Sequence, residues 1–137
     1  MKKIATIFAL ILGTAAIFTS CASNNAENLE GNWIVQSLKS ENQEINVVPA
    51  NLELRKNGIN YSYSGNAGVN QIFGDVKIKN GKFSMKNGGM TKMMGAPEEV
   101  NFEDNFVACL NSAKTYSLDG DLLTISSRKS TVTLKKE

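Results

Sequence analysis

From Leu29 onward the apolar residues fall mostly at alternate positions. Gly31 to Leu38 carries Trp33, Val35 and a terminal Leu38, Leu52 and Leu54 alternate with Glu53 and Arg55, and Tyr61 and Tyr63 alternate with Ser62 and Ser64. A period of two puts one face of a strand in a core and the other in water, so these segments are expected to be half-buried strands. Asn57-Gly58, Asn80-Gly81, Asp119-Gly120 and the polar Arg128-Lys129-Ser130 punctuate the pattern. Asn-Gly and Asp-Gly accept the positive backbone angles of tight hairpin turns. The spacing therefore predicts three hairpins: Leu52 to Lys56 with Ile59 to Ser64, Gly74 to Lys79 with Lys82 to Lys86, and Leu122 to Ser127 with Thr131 to Lys136.

One stretch changes period. Pro97-Glu98-Glu99 supplies a proline whose missing amide hydrogen does no harm in a first helical turn, and two carboxylates that suit the positive end of the helix dipole. Phe102, Phe106, Cys109 and Leu110 then recur at helical spacing. A single helix over Glu98 to Ser112 is expected to lie across an open mouth or face of the sheet.

The first twenty residues follow a third pattern. Lys2 and Lys3 precede a 15-residue apolar run from Ile4 to Phe18, which ends in Thr19-Ser20-Cys21. The run is shorter than the roughly 20 residues that span a hydrocarbon core, and nothing basic follows it, so a secretory signal over residues 1–20 is the preferred reading over a membrane anchor. The cysteine at the cut resembles the lipobox of bacterial lipoproteins, with Phe18 where Leu is usual and Ser20 where Gly or Ala is usual. That resemblance implies acylation of Cys21, a polar tether over residues 21–28 and a domain over 29–137. The neutral Ala22 after the cysteine further implies the outer membrane. The alternative for Cys21 is a disulfide to Cys109, the chain's only other cysteine, in an oxidising compartment.

Charge and composition narrow the function. The 137 residues have a net charge of +2, and Lys2 and Lys3 supply it, so the chain beyond the signal is neutral. A neutral domain has no surplus of Lys and Arg to replace counterions, so neither a polybasic nucleic-acid protein nor a polybasic membrane-surface protein is the leading expectation, and no nucleic-acid partner is expected. There is no histidine. Ser-His or Cys-His nucleophile pairs, zinc sites of ordinary composition and imidazole bases are therefore excluded.

Several fragments, in order, resemble the META domain of HslJ-like proteins. Leu29-Glu30-Gly31-Asn32-Trp33 is similar to the family's Leu-x-Gly-x-Trp strand. The run from Ser64 to Gly74 resembles its glycine-rich segment, Thr91-Lys92-Met93-Met94-Gly95 its Thr-x-Met-Ala-Cys motif, and Glu103, Phe106, Leu110, Tyr116 and Leu122 to Ile125 its closing helix and strands. The resemblance implies an all-β fold with one helix, a mostly antiparallel β-barrel-like domain, often an envelope lipoprotein associated with heat shock or stress. Val69 and Gly95 stand where the family commonly has two cysteines. Their joint replacement is what a lost bridge would leave, with Val69 packing into the space.

Four sets of residues could carry chemistry, each with a plainer reading beside it. Met85, Met90, Met93 and Met94 could bind a soft metal such as Cu(I), but without other soft ligands they are expected to fill irregular core space, so neither metal nor cofactor is expected. Glu98, Glu99, Glu103 and Asp104 could pair as acid and base for a hydrolase, or simply complement the helix dipole. Gly65 to Gly74 lacks the Gly-Lys-Ser or Gly-Lys-Thr of a phosphate loop and is better read as a bend or bulge between strands. Trp33, Tyr61 and Tyr63 would bind a glycan or an apolar segment if exposed, and are core if buried. Cys109 falls on the helix's apolar side and is expected to be a small buried hydrophobe. The sequence thus points to a non-catalytic lipoprotein, membrane-bound through Cys21, with an envelope protein or glycan as partner. A carrier of small apolar ligands within a hollow barrel is the competing class; an interior filled by Phe73, Phe83 and Phe106 would exclude it.

Overall fold

The computed structural model describes residues 28–137; the signal, Cys21 and nearly all of the tether lie outside the described residues. Nine strands and one helix follow in the order β1 (Gly31–Ser40), β2 (Gln43–Ile45), β3 (Asn51–Asn57), β4 (Asn60–Asn66), β5 (Gln71–Lys79), β6 (Lys82–Met90), α1 (Pro97–Ser112), β7 (Thr115–Asp119), β8 (Leu122–Ser126) and β9 (Ser130–Lys136). Every strand pairing is antiparallel. The sheet runs β1-β3-β4-β5-β6-β7-β8-β9 and closes on itself through β1 and β9, with β2 as a short flap on β1. Closure removes the sheet edges that would otherwise invite strand addition.

The three expected hairpins are β3–β4, β5–β6 and β8–β9. Gly58, Gly81 and Gly120 have positive φ values of 65°, 76° and 61° in their turns. Two strands run further than their patterns suggest because each is bulged. In β1 the register against β9 slips between Val35 and Ser37, so Leu38 points inward although it is three residues from Val35. In β6 an extra residue lies opposite the step from Phe73 to Asp75, which lets the strand continue through Gly88 and Gly89 to Met90. β2 follows a turn at Glu41 and Asn42, both with positive φ and neither a glycine.

β6 and β7 share one register pair, Lys82 with Thr115, and then separate. Helix α1 connects them and packs on β6, β1, β8 and β9. Its buried face is Phe102, Glu103, Phe106, Cys109 and Leu110, and the Phe102 and Phe106 rings stack with centroids 5.5 Å apart. The N-terminus carries half a capping box: the Ala96 amide donates to Glu99 Oε2 at 2.9 Å, while Ala96 has no side-chain oxygen to return the bond.

The barrel interior is packed with side chains. Trp33, Leu38, Leu52, Leu54, Phe83, Leu123, Ile125 and Leu134 are all buried and meet Phe102, Phe106 and Leu110 of the helix in one core. Phe73, expected inside, is instead 53% exposed. It shares its strand face with Asp75, Lys77 and Lys79, and its ring covers Gly89 on the outer wall.

Candidate functional site

The most constructed polar feature is at the helix end of the barrel, where three segments far apart in sequence meet at one carboxylate. Glu103, 4% exposed, accepts hydrogen bonds from the Val69 amide (2.9 Å), the Asn70 amide (2.6 Å) and Asn70 Nδ2 (2.6 Å). The amide nitrogen Nδ2 also donates to the Met93 carbonyl at 3.3 Å. Asn70 Oδ1 in turn accepts from the Thr91 hydroxyl at 3.1 Å and from the Met93 amide at 2.5 Å. Thr91 Oγ1 accepts the Gln71 amide at 3.0 Å. Thus Asn70 joins the β4–β5 turn to the 91–96 loop, and Glu103 fastens both to α1.

This geometry fixes the chemistry available to Glu103. Burial pushes its carboxyl up, but the bonds from the Asn70 side chain, the Asn70 amide and the Val69 amide outweigh that effect and hold it below the ordinary glutamate range. A carboxylate held ionised with its acceptors occupied cannot donate a proton to a leaving group, so it is suited to positioning and not to general acid work. The other carboxylates do not join it. Glu99 caps Ala96, Glu98 faces Asn46 Nδ2 at 3.5 Å, and Asp104 is exposed.

Val69 and Gly95 are neighbours across this junction. A Cβ built on Gly95 would collide with Val69 Cγ2 and sit 3.2 Å from its Cγ1. The side chain of Val69 therefore occupies the room of the missing residue, which explains why position 95 is glycine here.

The remaining candidates are dispersed. Trp33 is 1% exposed and donates Nε1–H to the Leu29 carbonyl at 2.9 Å, with Lys136 Nζ 5.7 Å from its ring centroid. Tyr61 and Tyr63 are buried as well. All three are core, with no face free for a glycan, because their strand positions point into the barrel. Tyr63 reaches the wall where Gly74 and Gly88 leave space, and a Cβ on either glycine would meet its hydroxyl. Burial and the nearby Asp75 carboxylate push the Tyr63 phenol up. A shallow cleft of about 230 Å³ lies beside it, lined by Met85, Gly88, Gly89, Met90, Val107 and Leu110 among others.

Of the four clustered methionines only Met85 packs against the core; Met90 and Met93 are exposed and Met94 is 98% exposed. The expectation of core filling fails for those three because β6 ends at Met90 and the following loop runs over the surface. Among the described residues no group of histidine, cysteine and carboxylate side chains could hold a metal. Cys109 is free and fully buried, and burial raises its thiol despite hydrogen bonds to Ser130 and Val132. Asn70 is the residue that sequence reasoning missed. Its signal was its place between the glycines of the Gly65 to Gly74 run, where a short amide side chain often supports a turn.

The META domain family profile matches residues 27–137. The chain belongs to the META domain family. Solved structures agree at the level of the fold. A protein from Burkholderia xenovorans determined by NMR is 19% identical with a TM-score of 0.64, covering 79% of this chain and 82% of its own. A second protein determined by NMR is 22% identical with a TM-score of 0.60, over 78% and 89%. A DUF4847 family protein from Bacteroides vulgatus is 14% identical with a TM-score of 0.54, over 79% and 93%. No curated protein matches the sequence. For this META domain, the Glu103–Asn70 junction is what holds the glycine-rich turn and the 91–96 loop against the helix.

Proposed function

We propose that the protein is a bacterial envelope lipoprotein, anchored in the outer membrane through acylated Cys21, whose META domain has a non-catalytic binding or structural role under envelope stress. The observation that carries this reading is the juxtaposition of a signal-like start ending at Cys21 with a barrel whose one buried carboxylate is committed to holding loops. The packed interior favours surface contacts with an envelope protein or glycan over carriage of an apolar ligand inside the barrel. Acyl chains contribute about 0.8 kcal/mol per buried methylene, so two or more would hold the domain without help from an amphipathic helix. Fractionation of cells tests the proposal. The intact chain should sediment with membranes, resist high-salt washing and come off with detergent, whereas Cys21→Ala should abolish that attachment. Recovery of the intact chain in the soluble fraction would overturn it.

A further inference from the structure

The described chain starts at the end of the barrel opposite the β4–β5 turn and the N-terminus of α1. Glu30 Oε1 accepts the Lys56 amide at 2.9 Å, beside the β3–β4 turn; the register carries this level across to Val76 and Met85, and the β5–β6 hairpin continues beyond it in the same direction to its turn. Two features mark this end. Ile59, at the tip of the β3–β4 turn, is 94% exposed. On the outer face of the β5–β6 hairpin, Lys79 stands directly opposite Lys82, Lys77 opposite Ser84, and Lys86 opposite Asp75. Lys77, Lys79, Lys82 and Ser84 border one shallow depression. Facing lysines repel one another and destabilise a hairpin, and among the described residues none of Lys77, Lys79, Lys82 and Lys86 is in an ion pair. Asp75 is the carboxylate on the same hairpin face; Asp119 and Asp121 belong to the β7–β8 turn, the next turn round the rim, since β7 pairs with β6.

We infer that this hairpin face docks on anionic phospholipid headgroups and orients the barrel on the membrane, with Ile59 entering the interface. The inference rests on the lipid-anchor reading. Asn28 is seven residues on from Cys21, a reach of at most about 24 Å, so the end bearing the lysines is the one held near the lipid. One chain-borne anchor combined with a basic patch is a recognised pairing of signals, the patch adding attraction that salt screens.

The test uses the acylated protein in vesicles of phosphatidylcholine, with or without phosphatidylglycerol, brominated on the acyl chains. Ile59→Trp reports the proposed contact and Met94→Trp the far end, each against the buried Trp33. Ile59→Trp emission should shift to the blue and be quenched in the anionic vesicles only, and the effect should vanish in high salt. Reversing three charges, Lys77→Glu with Lys79→Glu and Lys82→Glu, should reduce the docked population about 100-fold. Equal behaviour of the two reporters, or equal response in neutral vesicles, would overturn the inference while leaving the anchor intact. Should Cys21 prove unacylated, the anchor reading fails separately. The same chain coupled through the Cys21 thiol to a maleimide-bearing lipid then puts the lysine face to the same test.

Discussion

The two ends of the barrel are closed by different chemistry. At the helix end a buried ionised carboxylate gathers a turn, a loop and a helix through directional hydrogen bonds. At the opposite end Leu29 and Trp33 close the core by packing, with one hydrogen bond between them and the Lys136 ammonium above the indole. Packing tolerates modest changes of shape, whereas a charged network loses everything when its centre is removed. Of the carboxylates that could pair as acid and base, Glu103 and Glu99 lie at the first end with their oxygens bonded to backbone amides.

Removing that centre should have the largest effect. Glu103→Ala leaves three buried donors without their acceptor and should cost about 3 to 5 kcal/mol of unfolding free energy, read from urea denaturation. The same group predicts a pH dependence. Its carboxyl is held below its unfolded value of about 4.3, so its contribution is fully present above that pH and is lost as pH falls through the folded value. The acid limb of stability should flatten in Glu103→Gln; an unchanged limb would show that another group sets it.

A stabilising change at the same end comes next. The paired substitution Val69→Cys with Gly95→Cys should form a bridge, given how closely a Cβ at 95 approaches Val69, and should raise stability by about 3 kcal/mol in oxidising buffer. Loss of the gain on reduction checks that the bridge is its source. At the opposite end Trp33→Phe removes bulk and the bond to Leu29 and should cost about 2 kcal/mol, without altering the acid limb. If it did alter that limb, the two ends would not be independent. Smallest is Gly88→Ala, which presses on the Tyr63 hydroxyl and should cost about 1 to 2 kcal/mol.

Local rules made much of the barrel legible. Asn-Gly and Asp-Gly marked the turns, alternation marked the strands, and Pro97 with the following carboxylates marked the helix. The strand β2 escaped because its turn, Glu41-Asn42, contains no glycine and begins with a glutamate, a residue seldom found at positive φ. The later half of β6 escaped because Gly88 and Gly89 read as an end, whereas they are a bulged wall that makes room for Tyr63. Hydrophobicity alone makes Phe73 a candidate to fill the interior, whereas its parity with Asp75, Lys77 and Lys79 points it outward. The junction was the least legible part, since Asn70 and Glu103 are 33 residues apart and no periodicity connects them. Glu103 read alone is one more carboxylate near a helix start; only the tertiary fold makes it the acceptor for the β4–β5 turn, whose Asn70 in turn holds the 91–96 loop.

The intact mass of the protein extracted from bacterial membranes tests the central claim most directly, because both the anchoring and the orientation of the domain depend on Cys21. A mature chain that begins at Cys21 and carries acyl chains, with Cys109 unmodified, is the expected result. A chain that still begins at Met1, or a Cys21 that is unacylated or bridged to Cys109, would contradict it.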